Sequence, residues 1–81
     1  MLVLANLLSK NETKIKYSFG ASKENLDGIL YIDKNDFSAS YIEKSSAEVP
    51  WNWGMRVLAS LSNDIKAGYK IPEIYEYYPG Y

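Results

Sequence analysis

Cysteine and histidine are both absent from the 81 residues. With them go disulfides, thiolate nucleophiles, the common zinc ligands and the one side chain that ordinarily titrates near neutrality. The five glycines are scattered as turn residues and caps, so no phosphate-cradling loop is present. Serine is plentiful, yet there is no Gly-x-Ser-x-Gly turn and no histidine to activate a hydroxyl.

Long apolar runs are missing as well. The opening MLVLANLLSK is interrupted by Asn6 and has no basic stretch before it. It is too short for a membrane span and wrong in pattern for a secretory leader, so no membrane contact and a cytoplasmic location are expected. Nor does one sign of charge dominate: nine basic against ten acidic side chains leave a net charge of −1. That balance provides no field to gather nucleic acid or an anionic surface. Locally, Lys10, Lys14, Lys16 and Lys23 outnumber Glu12 and Glu24 in the first third, and acids prevail between Asp27 and Glu48.

What is present is an ordinary globular mixture, 47% hydrophobic and 23% charged. At this length one domain over residues 1–81 is expected, burying only about 60% of the surface of the unfolded chain, so that a partner or self-association would add stability. No internal repeat or linker divides it.

Residues 2–44 read as strands and turns. Leu2 to Leu8 is a β-capable run followed by a polar cluster, Ser9 to Glu12. In KIKYSF, Ile15, Tyr17 and Phe19 alternate with Lys14, Lys16 and Ser18, the period of a half-buried strand with a wet lysine face. GASKENLDG, bounded by Gly20 and Gly28, is a loop, and GILYID a strand covered on both faces or central in the sheet. Asp33, Lys34, Asn35 and Asp36 then form a tight connection to FSASYIE, with Phe37, Ala39 and Tyr41 alternating, to give a hairpin.

After Glu43 the period changes. Pro50 suits a first helical position, and Gly54, Val57, Leu58, Leu61 and Ile65 follow helical spacing to a left-handed cap at Gly68. The expected fold is α+β: an antiparallel sheet of three to four strands in ββββα order, one amphipathic helix over about residues 50–67 packed on one face, and an aromatic tail over 69–81.

Four tyrosines fall in the last seven residues: Tyr75, Tyr77, Tyr78 and Tyr81. Ile71, Ile74, Tyr75 and Tyr78 match one helical turn, and an extended arm fits too; such a tail either closes the core or reaches a partner. Trp51 and Trp53, flanking Asn52 at the helix start, either pack against the strands or join those tyrosines as an exposed anchor.

Lys14 and Lys16, with Lys10 nearby, superficially imitate a basic, stacking nucleic-acid sheet. They project away from Tyr17 and Phe19, however, and a solvated lysine face explains them better. Asp33, Asn35 and Asp36 resemble the start of a calcium loop but meet Phe37 at the next ligand position. Glu43 with Glu48, or Asp33 with Asp36, are formal carboxylate pairs without an inferable pocket.

The sequence therefore encodes no recognisable reaction. It reads as a non-enzymatic protein-interaction or regulatory module with a candidate interface of Trp51, Trp53, Tyr75, Tyr77, Tyr78 and Tyr81, acting on a protein partner or a second copy of itself. One alternative is weak single-stranded nucleic-acid binding through Lys10, Lys14 and Lys16; the other is a minimal enzyme with its site at a dimer interface. No cofactor, metal or small-molecule ligand is inferred.

Overall fold

The structure, a computed structural model, describes residues 2–78. Its elements are β1 (Val3–Lys10), β2 (Lys14–Gly20), β3 (Gly28–Asp33), a 3₁₀ turn (Phe37–Ala39), β4 (Tyr41–Lys44), α1 (Trp51–Lys66) and β5 (Ile74–Tyr77). The strands form one antiparallel sheet in the order β4-β3-β2-β1-β5. The fold is α+β with five strands, one more than the three to four expected, because the tail supplies an edge strand.

β2 is central and sets the two faces. Ile15, Tyr17 and Phe19 point to one side, where they are buried together with Val3, Ala5, Leu30 and Ile32. Val57, Leu58 and Leu61 of α1 belong to the same buried cluster. Gly54 lets the helix come close: a Cβ there would lie 3.2 Å from Ile42 Cδ1 and 3.5 Å from the Phe19 ring. β3 buries Leu30 and Ile32 on this side but leaves Ile29 and Tyr31 half-buried on the other, so its apolar run reflects an interior place in the sheet, between β4 and β2, and not cover on both faces.

Three local devices redirect what alternation predicts. First, β1 continues through Ser9 and Lys10 because the register against β2 shifts between Leu7 and Ser9, a bulge at Leu8. The turn moves to Asn11, whose Oδ1 accepts from the backbone N–H of Thr13 and Lys14 at 2.9 and 2.8 Å. Second, FSASYIE is not one strand. Asp36 caps the 3₁₀ turn, its Oδ1 accepting from Ser38 N–H at 3.1 Å, and pairing resumes only at Tyr41. The hairpin of β3 and β4 survives, but Tyr41 is exposed and lies opposite Tyr31 instead of alternating inward with Phe37.

Third, the tail is neither a helical turn nor a free arm. Ile74, Tyr75, Glu76 and Tyr77 pair with Asn6, Ala5, Leu4 and Val3 of β1, and Leu7 N–H donates to Glu73 C=O at 2.8 Å. The ladder gives the tail the backbone partners that a single unsupported turn would lack.

α1 starts one residue later than the proline rule suggests. Pro50 is the N-cap, and its carbonyl accepts from Trp53 and Gly54 at 3.0 and 3.1 Å. At the other end Gly68 adopts φ +98, with its N–H on Ile65 C=O and that of Tyr69 on Asp64 C=O, both at 3.1 Å, the Schellman arrangement.

Candidate functional site

The tyrosine-rich end resolves into separate roles. Tyr75 and Tyr77 are half-buried against the core, and the hydroxyl of Tyr75 is hydrogen-bonded to Ser60 of α1. Trp53 likewise packs against the core. Trp51 is 59% exposed and Tyr78 is 51% exposed, the latter donating its hydroxyl to Glu76 Oε2 at 3.0 Å. Tyr81 lies outside the described residues. Of the five described aromatics, Trp53, Tyr75 and Tyr77 pack against the core, and Trp51 and Tyr78 are exposed.

Among the described residues no helix covers the other side of the sheet, and strand register fixes which strand side chains sit on it. Lys16 lies between Ser9 and Tyr31, Tyr31 faces Tyr41, and Lys14 faces Asp33. The rings of Tyr31 and Tyr41 are stacked, with centroids 5.2 Å apart and planes inclined by 26°. Lys14 Nζ is 5.9 Å from the first ring and 5.5 Å from the second, and Lys16 Nζ is 5.7 Å from the first. These are cation–π distances. Lysine and aromatic side chains thus do share a face, through Tyr31 and Tyr41 of the neighbouring strands and not through Tyr17 and Phe19. The available signal was Lys14 opposite Asp33, which fixes the β2–β3 register and brings Tyr31 beside Lys16.

Lys10 does not join them. The bulge at Leu8 places it opposite Ile15, toward the helix side, where it lines a separate groove with Leu7, Ile71 and Pro72.

Towards β5 the uncovered side is apolar. Leu4, Leu26 and Ile74 line a groove of about 270 Å³ with Asn6 and Lys23 at its rim. Ile74 is 63% exposed. Leu26 is brought there by the loop 21–27, which folds over Gly20: a Cβ at Gly20 would lie 1.9 Å from Asn25 C=O. Asp27 anchors the loop by accepting from Ser46 Oγ at 2.6 Å and Ala47 N–H at 3.0 Å. Those bonds, the serine first, hold its carboxyl below the ordinary carboxylate range.

The acidic turn is structural in its geometry. Asp33 Oδ1 accepts from the N–H of Asn35 and Asp36 at 2.9 and 3.1 Å. Among the described residues no group of three or more acidic side chains converges to hold a metal ion, and no helix is long and apolar enough to cross a membrane. No protein-family model, curated protein or solved structure matches the chain.

Proposed function

We propose that this chain is a small non-enzymatic interaction module whose working surface is the uncovered face of the sheet, not the tyrosine-rich end. The observation that carries the reading is Ile74, 63% exposed on an edge strand and continuous with Leu4 and Leu26 in one groove. Burying a side chain of that size on contact is worth about 2 kcal/mol. The surface runs from an apolar groove at the β5 end to the tyrosines near β4; apolar and aromatic side chains suit an interface core, and the lysines suit its polar rim.

A second copy of the chain is the occupant tested first. Light scattering over a wide concentration range should give a mass rising above the 9.2 kDa of one chain. Dilution should shift the amide resonances of β1, β5 and residues 21–27, and Ile74→Glu should abolish both effects. A constant monomer mass with concentration-independent spectra removes self-association.

A second reading rests on Lys14 and Lys16 over the stacked pair Tyr31 and Tyr41. Cations beside aromatic faces suit single-stranded nucleic acid, whose bases stack and whose phosphates attract lysine. Titrating an oligothymidine at low salt tests it. Affinity should fall with salt by a log–log slope of roughly −0.7 per phosphate contacted, and Lys14→Ala with Lys16→Ala should flatten that slope. Salt-independent or absent binding rejects it.

A further inference from the structure

A groove of about 310 Å³ runs between α1 and the 3₁₀ turn, on the side of the helix away from β5 pairing, and none of the surfaces above uses it. We infer that it is a binding site for a small amphipathic carboxylate, with the apolar tail against Phe37, Met55 and Leu58 and the carboxylate at Lys66.

Its helical wall is built by spacing. Met55, Ala59, Ser62 and Lys66 recur at i, i+4, i+7 and i+11 and so lie along one stripe of α1. Along the helix the lining changes from Met55, Leu58 and Ala59 to Ser62, Asn63 and Lys66, so this wall is apolar at one end and polar at the other, and Phe37, Ser38 and Ser40 form the facing wall. The volume falls within the range of small-molecule sites, which are mostly apolar with a few placed polar groups. Met55, 39% exposed, is a side chain that adapts to varied apolar occupants.

Two observations select the ligand's charge and polarity. Lys66 is the one ionisable side chain lining the groove among the described residues; the nearby Asp36 carboxylate stands behind Ser38, accepting from its Oγ at 2.6 Å. Ser62, which lines the same wall, is only 7% exposed, and its Oγ is buried without a hydrogen-bond partner. Buried hydroxyls are normally paired, so a ligand oxygen that displaced the covering side chains would supply the acceptor this one lacks. The negative end of the helix dipole opposes an anion at this position. That opposition is reduced here because the N–H groups of Ala67, Gly68 and Tyr69 already cap the carbonyls of Asn63, Ile65 and Asp64.

Octanoate is a suitable probe, with octanol as its uncharged counterpart, titrated into the full chain and followed by amide shifts and calorimetry. Octanoate is expected to move the resonances of residues 37–40 and 55–66. Lys66→Gln, at an exposed position whose loss leaves the core intact, should weaken octanoate about tenfold, the worth of one charge-assisted contact. Octanol should bind the parent about as weakly as octanoate binds that variant, and Ser62→Ala should also weaken octanoate. The proposal is overturned if millimolar octanoate leaves those resonances unmoved, or if Lys66→Gln and octanol both match the parent's affinity for octanoate.

Discussion

The hydroxyl of Tyr17 donates to the backbone carbonyl of Pro72 at 2.5 Å, tying the central strand to the segment that leads into β5, 55 residues further along the chain. Tyr17 is fully buried on the helix side, and the bond satisfies the one polar atom it takes into the core. With Leu7 N–H on Glu73 C=O it fixes where the last strand begins.

Burial pushes the Tyr17 phenol up to about 12 from an ordinary value of 10.0. Between those values the unfolded chain has released a proton that the folded chain keeps, so stability falls as pH rises. The contribution is full below about pH 10 and gone above about pH 12. Tyr17→Phe should cost about 1 kcal/mol at neutral pH, through the carbonyl left without its donor. Denaturant unfolding across the alkaline range should show the parent losing this advantage over Tyr17→Phe as pH climbs; a gap that stays constant contradicts it.

Asp27 gives the opposite dependence. Its carboxyl is held low by Ser46 and Ala47, so its contribution is present above the ordinary carboxylate pKa and is lost as pH falls through the depressed folded value. In thermal melts, Asp27→Asn should lower Tm at neutral pH and converge with the parent in acid. Equal differences at both ends of the series would show that the latch does not depend on charge.

Two glycines separate crowding from backbone strain. At Gly20 an added Cβ meets backbone at 1.9 Å, so Gly20→Ala must displace the loop 21–27 and should cost about 3 kcal/mol. At Gly68 nothing lies within 4 Å and only the left-handed φ resists, so Gly68→Ala should cost about 1 kcal/mol. At roughly 4–8 °C of Tm per kcal/mol for a domain of this size, calorimetry distinguishes them. Gly68→Ala proving the more damaging would refute the assignment.

The contact of Ser60 with Tyr75 joins α1 to β5. A double-mutant cycle with Ser60→Ala and Tyr75→Phe should yield a coupling of about 1 kcal/mol. Additive losses would mean that the two hydroxyls are independently solvated.

The elements that were legible are those where one period dominates. Ile15, Tyr17 and Phe19 alternate without competition, and Gly54, Val57, Leu58 and Leu61 repeat only as a helix, stopped by the glycine that its Schellman turn requires. The tail was ambiguous because Ile71, Ile74, Tyr75 and Tyr78 satisfy a helical period while Tyr75 and Tyr77 satisfy a strand. Pairing with residues more than sixty positions earlier decides between them, and no local propensity carries that information. The Lys14, Lys16, Tyr31 and Tyr41 cluster was hidden for a related reason. It needs the strand registers, and Asp36 had converted the expected alternation into a 3₁₀ turn that reversed the side on which Tyr41 falls.

The ladder between β1 and β5 also has a consequence during synthesis. Residues 3–6 leave the ribosome well before their partners at 74–77, so the outer rim of β1 is bare while the meander and helix assemble behind it. A nascent or stalled product ending before Pro72 would display that rim as a template for intermolecular pairing. How quickly residues 74–77 follow would then set how long that rim stays open to another chain.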